Sequence, residues 1–476
     1  MATENGAAQS GAETSAPPKG ERRWTVGTLT YTSVGLIILF CWLLWGDFAW
    51  TMKERAVNPV AMVMLRGFSA PDWLVGLLIG SIPAAIGLIL GPVVSVMSDR
   101  HRSRWGRRIP FLLFPTPIVT LTMFGLAAVP MIGSWVHEAW GPSSPGEMAC
   151  RIIVFAFFWT AFEISSAVVN TLVGALINDV VPREVIGRFF ALFRAVSLIA
   201  GIVFNFFLMG KAESHSFAIF IGLGLLYGIG FSLMCLKVRE GSYPPPEPRP
   251  VTLGLRFFGP VQAYLKECFT NPFYLWFFLA TTLGMLSLGP VNTFSVFHSR
   301  SVGMSDDLYG KCLALSYTIS LLIAYPLGIL ADRFHPLRLG LLAMGGYVAA
   351  TLFGFLFSQT VATFFAAFLA HTVISGTYLT VTASIGQRLL PKAKFAQFAS
   401  AGGLVTALCF MILPPALGVF IQWMNHEYKY VFILGCLIAC GSFFGFVMLL
   451  RGYQRLGGDA GFQPPETVES PGSRPT

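Results

Sequence analysis

Charge is scarce in this sequence. Asp, Glu, Lys and Arg together make up 12% of its 476 residues, and 54% are hydrophobic. An ordinary soluble domain carries roughly 25% charge. A water-soluble chain of this size could not cover its surface with so little, so a soluble enzyme is excluded. The marks of cofactor chemistry are also missing. There is no phosphate-binding Gly-Lys-Ser/Thr loop and no HExxH pair. The eight cysteines, at 41, 150, 235, 268, 312, 409, 436 and 440, contain no CxxC spacing. Most lie inside apolar runs and read as small buried hydrophobes, not as a disulfide or zinc framework. No catalysis, metal or cofactor is expected, and without an ATP site any transport must draw on a gradient. No cleavage site follows the first apolar run, so residues 1–28 read as a disordered cytoplasmic tail rather than a signal peptide.

What is present is apolar length. Mean hydropathy is +0.66, and 43 residues are Phe. At about 20 residues per span, the chain has room for a dozen membrane helices. Twelve apolar runs occur at about 31–65, 72–98, 110–132, 149–178, 188–209, 215–238, 270–298, 308–332, 338–358, 361–387, 396–422 and 429–451. The expected fold is an all-α membrane protein of two six-helix bundles. The first run carries Lys53, Glu54, Arg55 and Pro59, so its outer part is expected to bend or leave the hydrocarbon.

The net charge of +9 is explained by topology rather than by nucleic acid. With both termini placed in the cytoplasm, 23 of the 32 Lys and Arg fall on the inner side and eight on the outer, the bias expected of cytoplasmic loops. The plasma (inner) membrane is the expected location, with lipid the surrounding partner and a monomer the expected state. The longest polar break, 239–269, combines a proline-rich stretch with a basic amphipathic segment. It is read as a cytoplasmic linker with an interfacial helix, dividing a bundle at 29–238 from one at 270–451. Residues 452–476 are Gly- and Pro-rich and read as a second disordered tail. The halves echo each other: Gly91 and Ser98-Asp99-Arg100 follow the second run, while Gly328 and Asp332-Arg333 follow the eighth. Repeated halves are a signature of secondary transporters.

The stretch from Ser98 to Pro110, with Arg102-Ser103-Arg104-Trp105-Gly106-Arg107-Arg108 at its centre, resembles the loop between helices 2 and 3 of the major facilitator superfamily. More narrowly, it is similar to the glycoside–pentoside–hexuronide cation symporters and the related sucrose/proton symporter branch. That resemblance implies twelve helices in two pseudo-symmetric bundles and a small-molecule substrate, a sugar or glycoside. It also implies that Asp99, Arg100, Arg104, Gly106, Arg107, Arg108, Asp179, Asp332 and Arg333 form a gating motif that stabilises one side of an alternating-access cycle. Independently of family, Asp99 can pair with Arg100, Arg104 or a neighbouring helix terminus, Gly106 allows a tight turn, and Pro110 can start a helix. One departure bears on the coupling ion. The melibiose permeases of that family keep acidic residues inside helix 2, and the second run here has none from Gly76 to Pro92, so a proton rather than sodium is expected.

Ionisable groups at membrane depth are functional candidates, because placing charge at the bilayer centre costs about 2.5–3.5 kcal/mol or more. Asp47 lies about 24 Å along the first run at 1.5 Å per residue. Glu54 lies two turns further on the same face, and Glu163 lies near the middle of the fourth run. Asp47 and Glu163 are expected to face a common cavity, where a carboxyl in apolar surroundings takes up a proton readily. In the sucrose-symporter branch an acidic residue in helix 4 stands 16 positions before an inner-loop Asp, the spacing of Glu163 and Asp179 here. Arg194 is either a carboxylate or substrate partner or a snorkelling surface residue. Trp45, Trp159, Asn170, Asn205, Asn292 and His371 are candidate sugar contacts; the alternative for each is packing or helix bridging. The expected function is proton-coupled sugar or glycoside symport. The alternatives are a facilitator or exporter of another solute, or a non-transporting sensor or assembly factor of the same fold.

Overall fold

The computed structural model describes residues 23–182, 184–243, 266–391 and 394–465. Within them the chain forms twelve long helical segments: α1 Ser33–Gly67, α2 Asp72–Arg100, α3 Pro115–Trp140, α4 Glu147–Val180, α5 Ile186–Phe207, α6 Ser216–Lys237, α7 Pro272–Ser301, α8 Asp306–Phe334, α9 Pro336–Phe357, α10 Val361–Thr382, α11 Phe395–Trp423 and α12 Tyr430–Arg455. Eleven of them are long and apolar enough to cross a membrane, and the twelfth, α8, packs among them. The ends obey ordinary capping chemistry. Thr32 caps α1, Asn271 caps α7, Ser305 caps α8 and Thr360 makes a capping box at α10, each satisfying backbone donors that a helix start leaves open. Trp73, Trp140 and Trp423 stand exposed where helices end on the face opposite the termini, as an interfacial belt does.

The two halves repeat the same packing. In the first bundle α1 packs on α5 and α6, α3 on α4 and α6, and α2 on α4. In the second, α7 packs on α11 and α12, α9 on α10 and α12, and α8 on α10. The bundles meet along two symmetric pairs, α2 with α11 and α5 with α8. Both pairs close tightly only on the side away from the termini. Gly76 lies so close to Pro414 that a Cβ there would collide with its carbonyl oxygen. The Ser81 hydroxyl donates to the Met411 carbonyl at 2.5 Å, and Arg300 joins Glu213 of the other bundle at 2.9 Å. Toward the termini the helices part, and Gly87 and Gly403 face open space. The molecule is sealed on one face and open on the face that carries its ends.

Three boundaries differ from expectation. Trp24–Val26, expected to lie in the disordered tail, is folded. Trp24–Val26 and Leu29–Tyr31 pair as an antiparallel hairpin (β1, β2) across Gly27, whose φ of +55° suits the first position of a tight two-residue turn. Alternating Trp24, Val26, Leu29 and Tyr31 supply its half-buried face. α1 does not leave the bundle at Lys53; it continues unbroken to Gly67, with Lys53 fully buried. The segment after α12 is packed as far as Pro465: Asp459 pairs with Arg338 at 2.6 Å, and the Tyr274 hydroxyl donates to the Pro465 carbonyl at 2.9 Å. The interfacial helix expected after the proline stretch lies mostly outside the described residues.

Candidate functional site

A cavity of about 380 Å³ lies between α1, α2 and α4, lined by Lys53, Glu54, Asn58, Glu163, Ser166 and Asn170 among others. Helical spacing assembles it. Positions 163, 166 and 170 stack on one face of α4, as positions 50, 54 and 58 do on α1. The Lys53 ammonium is packed into its wall, with no exposure. It donates to the Ser166 hydroxyl at 2.5 Å and pairs with Glu54 at 2.5 Å. The rings of Phe162 and Tyr227 lie 5.4 and 5.3 Å from it. A buried cation is tolerated only when so compensated. Asn170 donates to Glu54 at 3.2 Å and accepts from the Trp50 indole at 2.7 Å. Glu163 differs from all of these. It lines the cavity yet makes no hydrogen bond or ion pair with any described residue.

The other candidates are distributed unequally. Asp47 does not share this cavity. It is packed two turns from Glu54 with Thr51 donating to one oxygen at 3.0 Å, and its other oxygen has no partner. Arg194 is exposed and pairs with neither Asp47 nor Glu163; its neighbour Arg55 instead lies 5.2 Å from the Tyr317 ring. Trp159 is a packing residue. It is fully buried, stacks on Phe155, and donates to the Leu78 carbonyl at 2.7 Å inside a π-helical turn of α2, Leu77–Ser81. Trp45 stacks on Phe48 and is partly exposed. Asn205 turns back onto the Gly201 carbonyl at 2.8 Å. His371 is fully buried and bridges the Tyr347 hydroxyl at 2.9 Å to the Asn292 amide oxygen at 3.1 Å. Asn292 thereby lines a second, larger cavity between the bundles. Sequence reasoning counted Lys53 on the outer side, in the part of the first run expected to bend or leave the hydrocarbon. The available signal was that Ser166 and Asn170 recur four apart on α4.

On the face carrying the termini, the loop between α2 and α3 forms a compact ionic lock. Asp179, from the end of α4, accepts from Arg107 at 2.7 and 3.0 Å and from Arg108 at 3.2 Å. This bidentate grip, made by hydrogen bonds to Asp179, holds the Arg107 guanidinium above its ordinary pKa. Asp99 pairs with Arg108 and, at 4.0 Å, with Arg107. It does not pair with Arg100 or Arg104, because Gly106, at φ +107°, turns the chain so that 107 and 108 point back at it. Arg104 lies over Trp105, and Arg333 lies exposed over Phe334. The Asp332 side chain is outside the described set. Glu240, just after α6, completes the lock. Its carboxylate accepts from the backbone N–H groups of Arg107, Arg108 and Ile109 at 3.0, 2.8 and 2.7 Å, where three donors would otherwise be open. Replacing Glu240 with Ala is expected to destabilise the protein by about 1–3 kcal/mol, read as a lower melting temperature. An unchanged melt would contradict this capping role.

Comparisons with known proteins agree with this architecture. A family model described as MFS/sugar transport protein matches residues 68–394. A bacterial homologue of the lysosomal transporter Spinster, crystallised inward-facing and unoccupied, is similar at 16% identity and TM-score 0.56, over 87% of this chain and 97% of that one. A D-xylose-proton symporter matches at 13% identity and TM-score 0.58 over 88% and 96%, and a nucleoside transporter at 12% and 0.61 over 86% and 99%. At these identities the likeness concerns the fold.

Proposed function

The chain belongs to the MFS/sugar transport protein family, and from that premise we propose that it is a proton-coupled symporter of a sugar or glycoside. The carrying observation is Glu163, a carboxyl without a partner in a cavity whose other charges are already balanced as Lys53–Glu54. A carboxyl so placed gains or loses a proton without breaking any existing pair. The Lys53, Glu54, Ser166 and Asn170 groups around it offer both donors and acceptors, as a polyhydroxyl solute requires. The face with the termini is the cytoplasmic one, in keeping with its Lys and Arg excess, so the conformation is inward-facing in a plasma membrane. The lock of Asp99, Arg107, Arg108 and Asp179 is then the cytoplasmic gating element. The absence of acidic residues from Trp73 to Ser98 of α2 favours a proton over sodium.

The substrate class is tested by thermal melting of the purified protein with a panel of sugars and glycosides, alongside nucleosides, amino acids and divalent metal ions. Ligand at 100 times its dissociation constant stabilises by about 2.7 kcal/mol. The expected result is protection by a subset of sugars or glycosides that Glu163→Gln weakens. Protection only by another class would overturn the carbohydrate reading.

A further inference from the structure

The polar cavity is not alone. Asn58 also lines the second cavity, of about 540 Å³, which lies between the bundles on the sealed side. Its walls are a different chemistry. They include Met62, Ile79, Leu288, Leu413 and Leu417, with aliphatic and thioether groups drawn from both bundles. Its polar side chains are few, Asn58, Asn292, Thr293 and Tyr309, and two of them are already engaged. The Asn292 amide oxygen is held by His371, and the Tyr309 hydroxyl is 2.8 Å from Ser295. A second sugar ring placed here would leave most of its hydroxyls without partners, which burial penalises. An apolar group would not. The volume is in the range of sites that take drug-sized ligands.

We infer that the substrate is amphipathic: a carbohydrate head group in the Lys53–Glu163 cavity, joined past Asn58 to an apolar aglycone that fills the chamber between the bundles. This rests on the carbohydrate reading for the head, while the tail is argued from the apolar walls alone. The arrangement also gives the tail a function. Because the chamber is lined by both bundles, an apolar group inside it bridges them on the sealed side.

The test uses the full-length protein in nanodiscs and n-alkyl glycosides from methyl to heptyl below their micellar concentrations, with free glucose and galactose as references. Binding is expected to tighten as the tail lengthens, by up to about fourfold per methylene, the equivalent of about 0.8 kcal/mol per buried CH₂. Gly289→Leu fills the chamber: a Cβ at Gly289 meets only the Leu413 and Phe410 side chains, at 3.4 and 3.7 Å, and a melting temperature equal to the parent's shows that the variant is folded. That variant should erase the tail-length increment and leave the affinity for free sugar unchanged. Comparison with Gly289→Leu also subtracts partition of the tail into lipid. Equal affinity for free sugar and heptyl glycoside, or equal weakening of both by Gly289→Leu, overturns the inference. If no sugar-headed probe binds, the carbohydrate reading falls. Heptyl phosphocholine and heptyl ammonium then test the tail separately. A tail increment erased by Gly289→Leu in either series sustains an amphipathic substrate with a different head, and its absence from both overturns the amphipathic inference as well.

Discussion

Glu163→Gln protein is expected to lose pH-driven accumulation of solute while still exchanging solute across the membrane. Glutamine keeps the size of the side chain and resembles the neutral carboxyl, but it cannot release a proton. One pH unit is worth about 1.4 kcal/mol per proton, an accumulation of about tenfold for one-to-one coupling. In the variant that factor should fall to one, and counterflow of labelled for unlabelled solute should persist. The contrast is Lys53→Ala. Lys53 is buried and bound to Glu54 and Ser166, so its removal strands a carboxylate, a loss of about 3 kcal/mol or more. That variant should melt earlier and fail in exchange and accumulation alike. A Glu163→Gln protein that still concentrates solute in response to a pH gradient would remove Glu163 from coupling.

Asp72→Ala is expected to loosen the sealed face. Asp72 starts α2 and is fully buried. One of its oxygens is 2.6 Å from His426 Nδ1, the Tyr428 hydroxyl is 3.2 Å from both, and the Arg66 guanidinium is 3.6 Å away. Arg66 in turn lies over the rings of Phe297 and Tyr428. His426 and Tyr428 belong to the second bundle, so their contacts with Asp72 and Arg66 exist only while the face is closed, whereas the Arg66–Asp72 pair lies within the first bundle. Arg66 and His426 are 39% and 48% exposed and rehydrate when freed, which limits the loss to about 2–3 kcal/mol. At 1.4 kcal/mol per tenfold, the population open on this face should rise roughly 30- to 140-fold, with Asp72→Asn intermediate. A cysteine at Leu413, beneath the seal, reads this as faster labelling by an impermeant maleimide from that side, against the parent chain as background. An unchanged labelling rate in Asp72→Ala would show that the cluster does not hold the face shut.

The helix number was legible because apolar runs of membrane length have few other interpretations. The boundaries of α1 were not. Lys53, Glu54 and Arg55 in succession look interfacial along the chain, and only Ser166, Phe162 and Tyr227, from helices far away in sequence, make burial of Lys53 affordable. That Glu163 would line a cavity was legible from its depth. Asp47 was misjudged because helical spacing tells which residues share a face, not which neighbour covers it. Trp159, four residues before Glu163, looked like a sugar platform. Its indole is instead committed to a carbonyl freed by the π-helical turn of α2, which no periodicity signals. The Asp72 cluster joins positions more than 350 apart, and Glu240 reaches back more than 130 residues to the backbone of Arg107, Arg108 and Ile109, where the short helix Ile109–Leu113 starts. Such contacts are set by how bundles meet and leave no trace in local pattern.

The central claim is that solute and proton move together through the Glu163 cavity. It is tested most directly in proteoliposomes at zero membrane potential, by recording internal pH when the best-protecting glycoside from the melting panel is added outside. Coupled movement predicts acidification of the interior that tracks solute uptake in the parent protein and vanishes in Glu163→Gln. Uptake with no change in internal pH, or an equal pH change in the variant, would contradict it.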